Sequence, residues 1–188
     1  FKGSVHNMLA TKDSVYHEPY VAVRLPFRVA ESMPTCFEAI HSAYLPYVHQ
    51  QKAFERLTGD DGRSTLVATG TGSGKTECFL YPILEYCYQH RGERGIKALI
   101  IYPMNALAND QMKRMRALFK QYPWIRYGVY NGNTEHSQAK ALIEYRRTFQ
   151  DQNGQSLDPA PNEVISREVM QQEPPHILIT NYSMLEYM

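Results

Sequence analysis

The residues with the clearest chemical potential form a glycine-rich segment, TGTGSGKT, at positions 69–76. When such a segment joins a strand to a helix, its backbone N–H groups can surround phosphate oxygens, and the helix N-terminus adds partial positive charge. Lys75 would reach the β- and γ-phosphates and the Thr76 hydroxyl would bind Mg²⁺, which gives both residues a catalytic role. The strict form of the loop has glycine where this chain has Thr69. The other positions fit, and they predict a nucleotide site made of Thr71, Gly72, Ser73, Gly74, Lys75 and Thr76.

The sequence on either side of the loop predicts the elements that would hold it. A short β-branched run at 65–68 precedes the loop, and helical spacing from Lys75 to about His90 follows it. The run at 98–102 is continuously apolar, which is typical of a strand buried on both faces. Further helical spacing occurs at 34–58, 105–120 and 134–152, and further strand patterns occur at 127–130 and 176–180. This order predicts an α/β fold in which a parallel sheet has helices on both faces.

Composition excludes several other classes of protein. The chain has 188 residues, 43% of them hydrophobic, and a formal charge of +1 at pH 7. These values favour a packed core, and they give no sign of a global positive field for nucleic acid. No run of about 18 apolar residues is present, so we expect no membrane span. Three scattered cysteines argue against a disulfide scaffold or a zinc site and favour a reducing, cytoplasmic location.

Five elements of the sequence resemble, in the same order, the motifs of superfamily 2 helicases. They are HQQKA at 49–53, TGSGKTE at 71–77, YPMNALANDQ at 102–111, YNGNT at 130–134 and TNYSML at 180–185. Departures from the motifs of the family include Met104 in place of threonine, Asn105 in place of lysine and Asn133 in place of aspartate. The resemblance covers residues 49–185 and implies a RecA-like lobe with ATP and Mg²⁺ as cofactors.

Within the superfamily, the combination of these elements looks most like large bacterial DNA helicases of the YprA (MrfA-like) branch. Relatives of that branch serve in anti-phage systems of the DISARM and Druantia kind. The resemblance implies three partners: single-stranded or partly duplex DNA, the remaining motor lobe of the same polypeptide, and the subunits of a defence complex. It also implies that the Gln50 amide reads adenine. Gln51 is the alternative if the register shifts by one, and a solvent-facing position for Gln50 is the alternative without a ligand.

In the resembling family, residues that follow the strands hold the backbone of single-stranded nucleic acid. In this chain the corresponding residues follow the strand patterns that end near 102, 130 and 180, at one edge of the predicted parallel sheet. They are Pro103, Asn105, Ala106, Gly132, Thr134, Thr180 and Asn181. A helix cap at Asn105 and turn or cap chemistry at the other positions would explain these residues without a ligand.

A helicase motor also needs an Asp-Glu carboxylate motif (Walker B) on a further strand, to hold Mg²⁺ and position water. The sequence contains no Asp-Glu pair. We therefore expect an N-terminal extension at 1–35 and an incomplete first motor lobe at 36–188 that ends before this motif. The expected function of the intact protein is that of an ATP-dependent DNA helicase or translocase, whereas the fragment alone should be inactive. The alternatives are an RNA-directed ATPase and a nucleotide-gated scaffold that binds DNA without unwinding it.

Overall fold

The computed structural model describes residues 26–42, 44–58, 62–103, 105–150 and 154–186, with the backbone alone for 105–110. Most of the extension expected at 1–35 lies outside these residues. The elements are α1 (Val48–Thr58), α2 (Lys75–Gln89), β1 (Ala98–Tyr102), α3 (Asn105–Phe119), β2 (Tyr127–Tyr130), α4 (Gln138–Thr148), β3 (Glu163–Val164), α5 (Arg167–Gln172), β4 (Ile177–Asn181) and α6 (Tyr182–Leu185). Among the described helices, none is long and apolar enough to cross a bilayer.

The described strands form one parallel sheet in the order β1–β4–β2–β3. Strand β4 lies between β1 and β2 and is buried along its whole length. Its side chains alternate between the two faces of the sheet. Ile177 and Ile179 pack against α2 and α3 in the main core, whereas Leu178 packs with Met170 of α5 in a second cluster. The prediction of a parallel α/β sheet with helices on both faces is therefore confirmed.

Three predictions about individual segments are wrong. Residues 65–68, predicted as the strand before the glycine loop, form no strand, and Leu66 is 92% exposed. Strand β1, predicted to be buried on both faces, exposes Leu99 and Ile101 by 46% and 47% because it stands at the end of the described sheet. Within the helical pattern predicted over 34–58, the described residues form a helix only from Val48 onward, and the residues just before it pair with the backbone of residues 28–30.

A buried carboxylate joins β3 to three neighbouring elements. The Glu163 side chain is 4% exposed, forms an ion pair with Arg116 of α3 (2.7 Å) and accepts hydrogen bonds from the hydroxyls of Tyr127 (3.3 Å) and Tyr145 (3.1 Å). Burial, and after it the charge of Glu163, raises the pKa of Tyr145 to about 12. At neutral pH this tyrosine therefore remains a hydrogen-bond donor, and the cluster fixes β3 against α3, β2 and α4.

His176 precedes β4, and its hydrogen bond to the neighbouring backbone depends on an uncharged imidazole ring. Its Nδ1 accepts a hydrogen bond from the backbone N–H of Arg126 (3.0 Å), which a protonated Nδ1 could not do. Burial, followed by the positive charges of Arg126 and Lys97, lowers the pKa of His176. His176 is therefore protonated less readily in the folded chain than in the unfolded chain.

The uneven covering of one face of the sheet gives a first prediction. Leu178 of β4 and Leu99 of β1 are partners in the parallel register and differ in burial, at 3% and 46% exposed. We expect Leu178→Ala to lower the free energy of unfolding by about 2–5 kcal/mol, because it leaves a cavity in the core. Leu99→Ala is the matched control and should cost less than about 1 kcal/mol. Urea denaturation of both variants measures this, and equal losses would contradict the one-sided covering of β1.

The second prediction concerns acid. Because the pKa of His176 is lowered in the folded state, its contribution to stability is complete above about pH 6.5 and declines as the pH falls below that value. We expect the urea midpoint to fall between about pH 7.5 and about pH 5.5, and we expect a smaller fall in His176→Gln. Identical pH profiles for the two proteins would show that the ring contributes nothing to acid sensitivity.

Candidate nucleotide and nucleic-acid site

The glycine loop reaches α2 through two residues in the left-handed conformation. Gly72 has φ 76° and Gly74 has φ 73°, and Lys75 is the first residue of α2. Residues other than glycine adopt such backbone angles only at a cost in conformational free energy. Ser73, between the two glycines, is fully buried, and its Oγ lies 2.5 Å from Thr69 Oγ1. The threonine that departs from the strict motif therefore closes the base of the loop.

Helix α1 holds the loop from behind. His49 Nε2 lies 2.8 Å from the Ser73 carbonyl, and Gln50 Nε2 donates to the Gly74 carbonyl (3.1 Å). Gln50 Oε1 also accepts from the backbone N–H of Tyr47 (2.8 Å), and the residue is only 8% exposed. A solvent-facing position for Gln50 is therefore wrong. Its amide has a second N–H and a second lone pair, so the adenine contact stays a prediction.

Lys75 and Thr76 occupy the first turn of α2. The Lys75 ammonium donates to the carbonyls of Thr69 (3.0 Å) and Gly70 (2.7 Å), so a phosphate contact by Lys75 would replace these two bonds. The Thr76 hydroxyl makes a long contact with Gln111 Oε1 (3.5 Å). Among the described residues, no group of three or more His, Cys, Asp or Glu could hold a metal. A single hydroxyl fits Mg²⁺, which keeps water ligands and binds largely through phosphate oxygens.

Glu77 links the start of α2 to α3. Its Oε1 accepts from Arg114 Nη2 (2.8 Å), whereas Oε2 is buried and has no hydrogen-bond partner among the described residues. In the next position Cys78 is fully buried, and burial followed by the charge of Glu77 raises the pKa of its thiol. The thiol therefore stays protonated and acts as a small core group, whereas Glu77 connects the loop to the helix that begins at Asn105.

The parallel register places the predicted nucleic-acid residues at one edge of the sheet. Tyr102 at the end of β1 pairs with Asn181, and Tyr130 at the end of β2 pairs with Thr180. Neighbouring strands lie about 4.8 Å apart, so the segments that follow them are adjacent. Pro103 follows β1 directly and is exposed. This confirms that the strand ends lie side by side, whereas nucleic-acid binding there stays a prediction.

Two of the edge segments have the turn and cap chemistry that the sequence left open. The Thr134 hydroxyl donates to the Val129 carbonyl (2.8 Å) and accepts from the N–H of Asn131 (2.9 Å), which closes a turn with exposed Gly132 at its tip. Asn181 Oδ1 caps α6 by accepting from Met184 N–H (2.8 Å). Both roles are compatible with a ligand at the same edge.

The prediction that Thr180 contacts nucleic acid requires a correction. It is 1% exposed, and its hydroxyl donates to the Tyr130 carbonyl of the neighbouring strand (2.6 Å). This burial argues against a direct contact between the Thr180 side chain and a nucleic-acid backbone. Asn105 and Ala106 are the first residues of α3, and their side chains lie outside the described part of the structure.

Sequence reasoning gave no role to three residues that shape the site: His49, Glu77 and Arg167. Arg167, the first residue of α5, donates from Nη2 to the Asn131 carbonyl (2.9 Å) at the edge turn. For His49 and Glu77 a signal was available, since both belong to the motif-like elements at 49–53 and 71–77. Arg167 lies in no such element, and 36 positions separate it from Asn131.

A phosphate-type loop at a helix start and polar strand ends on one edge of a parallel sheet define a RecA-like nucleotide-binding lobe. The model of the DEAD/DEAH box helicase family matches residues 47–153, and the chain belongs to this family. It is 32% identical to the Druantia protein DruE of Escherichia coli (strain UMEA 4076-1), over 76% of this chain and 12% of that protein. It is 34% identical to the uncharacterized ATP-dependent helicase YprA of Bacillus subtilis (strain 168), over 47% of this chain and 11% of that protein.

Among solved structures, the fold is similar to that of the DUF1998 helicase MrfA bound to DNA and AMPPNP. The TM-score is 0.58 at 23% identity, and the match covers 98% of this chain and 22% of that one. The chain thus spans roughly a tenth of the length of the curated relatives named above. These matches agree with a superfamily 2 helicase of the YprA, MrfA and Druantia type.

The loop geometry gives the third prediction. A Cβ on Gly74 would both require a strained φ and collide with the Gln50 amide, whereas a Cβ on Gly72 would be strained but would meet nothing within 4 Å. We expect Gly74→Ala to weaken binding of a fluorescent ATP analogue by well over tenfold, because the Gln50 amide would also have to leave the Gly74 carbonyl. Gly72→Ala is the matched control and should weaken binding about tenfold, as expected for a strain of about 1–2 kcal/mol. Equal affinities in the two variants would show that Gln50 does not constrain the loop.

Proposed function

We propose that the chain is the ATP-binding part of the first motor lobe of a DNA helicase or translocase, in which ATP hydrolysis is coupled to movement on single-stranded DNA. The observation that carries the proposal is a direct connection between the two candidate sites. Gln111 and Arg114 of α3 contact Thr76 and Glu77 at the glycine loop, and the same helix begins at Asn105 on the strand-end edge.

The loop supports ATP and Mg²⁺ as cofactors through the placement of Lys75 and Thr76 at the start of α2. When bound, Mg²⁺ would neutralise charge on the phosphate oxygens. The chain's own contribution is to orient the phosphates with loop N–H groups, to hold the loop through His49 and Gln50, and to place the Lys75 ammonium at its mouth. The MrfA structure with DNA and AMPPNP supports both ligand classes for the lobe.

We also propose that the remaining part of the motor lies against β1. Leu99 and Ile101 are half exposed on a strand that ends the described sheet. Apolar side chains exposed beside a sheet edge are a surface on which a further strand could pair.

The expected setting is phage defence in the cytoplasm, in company with other subunits. Similarity to the Druantia protein DruE supports the defence role that the sequence resemblance implies. The free thiols of Cys36, Cys78 and Cys87 support a reducing compartment.

The fourth prediction tests this function in the intact polypeptide. We expect single-stranded DNA to stimulate ATP hydrolysis, and we expect Lys75→Ala to reduce the stimulated rate by about 10²-fold or more, because a charge that stabilises the phosphates is lost. Lys140→Ala, which removes an exposed charge on α4, is the control and should leave the rate unchanged. The measurement is phosphate release with and without DNA.

Two outcomes would redirect the proposal. Stronger stimulation by RNA than by DNA would favour an RNA-directed ATPase. Hydrolysis that neither polymer changes would favour a nucleotide-gated scaffold, and the absence of strand displacement would then separate the scaffold from a motor.

A further inference from the structure

The turn at 131–134 is held largely by hydrogen bonds among its own residues. Asn131 Oδ1 accepts from the N–H of Asn133 (2.9 Å), and the Asn131 carbonyl accepts from the N–H of Thr134 (3.1 Å). Asn131 is 6% exposed, whereas Gly132 and Asn133 are exposed at the tip. The turn therefore presents a short length of backbone at the strand-end edge, and its orientation depends on whatever fixes the Asn131 peptide.

Arg167 fixes that peptide from outside the turn. Its Nη2 donates to the Asn131 carbonyl (2.9 Å), so the two lone pairs of this oxygen are used by Thr134 and Arg167. The guanidinium carbon lies 5.0 Å from the centre of the Tyr130 ring, within the range of a cation–π contact. The charge and the fork of one side chain thus act on two consecutive residues at the end of β2.

The backbone at the start of α5 contacts the far side of the same segment. The N–H of Arg167 donates to the Glu135 carbonyl (3.0 Å), and the N–H of Glu168 donates to the His136 carbonyl (3.0 Å). The segment that follows the turn is therefore tied to α5 at two further points. Side chain and backbone together hold residues 130–136 in one arrangement.

Two of the three guanidinium nitrogens are directed at the protein. Arg167 Nε is buried and has no hydrogen-bond partner among the described residues, and Nη2 donates to the Asn131 carbonyl. A donor in this position orients a neighbouring peptide, and salt dependence distinguishes this role from a phosphate contact through the remaining nitrogen.

We propose that Arg167 is a positioning residue for nucleic-acid binding: it holds the 131–134 turn in the orientation in which the backbone at Gly132 meets a single strand, without touching a phosphate itself. This inference rests on the proposed function, because it takes single-stranded DNA as the ligand of the strand-end edge.

The test uses Arg167→Met and Arg167→Lys in the intact polypeptide, with oligo(dT) as the probe. We expect Arg167→Met to raise the oligo(dT) concentration that gives half-maximal ATPase stimulation by about tenfold, since a charged hydrogen bond is lost. The rate at saturating oligo(dT) should stay within about twofold of the original. Arg167→Lys should recover part of the loss, because an ammonium can donate to Asn131 but lacks the planar fork and its stacking.

Salt dependence separates positioning from direct contact. A lost phosphate contact lowers the slope of log affinity against log salt by about one, whereas a mispositioned turn leaves the number of phosphate contacts unchanged. We therefore expect an unchanged slope in Arg167→Met. A slope reduced by about one would overturn the inference in favour of a direct contact.

Arg91→Met is the matched control. Arg91 also donates to a carbonyl (Tyr88, 2.7 Å) and stacks on a tyrosine ring (4.2 Å), but it follows the end of α2, about 22 Å along that helix from the glycine loop. Arg91→Met should change neither the half-maximal oligo(dT) concentration nor the slope of log affinity against log salt. If oligo(dT) stimulates the original protein and Arg167→Met leaves the half-maximal concentration unchanged, or lowers only the saturated rate, the inference is wrong and the proposed function stands. If oligo(dT) does not stimulate the original protein, both fail.

Discussion

The structure depends on the burial of β4 between two parallel neighbours. Ile177 and Ile179 are fully buried on one face and Leu178 is 3% exposed on the other, so the apolar pattern leaves this strand only one place in the sheet. Because both faces of β4 are apolar, its register depends on the polar residues at its two ends: His176 accepts a hydrogen bond from Arg126, and Thr180 donates one to Tyr130. These contacts fix the alignment of the ends of β1 and β2 against Thr180 and Asn181. The strand-end edge is therefore a consequence of how β4 is held in the sheet.

The sequence was sufficient for the elements whose local pattern and tertiary setting agree. The loop and helix at 69–89, the apolar strand β4 and the four-residue strand β2 were all predicted within about one or two residues. Residues 65–68 and strand β1 have equally apolar patterns, yet one forms no strand and the other is half exposed. An apolar pattern predicts that a segment can be buried, but it does not predict whether neighbouring strands and helices are present to cover it.

The candidate site shows a similar division between residue type and residue partner. The polar residues after the strands were identified from sequence, but whether each faces solvent or the interior depends on a neighbouring strand. Thr180 and Asn181 are adjacent in sequence, and one joins β4 to β2 whereas the other caps α6. The role of Arg167 comes from a contact across 36 positions and from no local pattern. Such contacts need the topology before they can be assigned.

Helix α3 is the element through which the nucleotide loop and the strand-end edge could influence each other. The Glu77–Arg114 ion pair is not the main interaction that holds α3 in place. Its side chains are 27% and 58% exposed, and such pairs contribute about 1 kcal/mol or less. Met112 and Met115 of the same helix are 3% and 0% exposed in the core against β4, so α3 is held mainly by packing. A close-packed helix transmits a displacement along its length rather than absorbing it. Any effect of nucleotide on the affinity for nucleic acid must, by linkage, be matched by an equal effect of nucleic acid on the affinity for nucleotide.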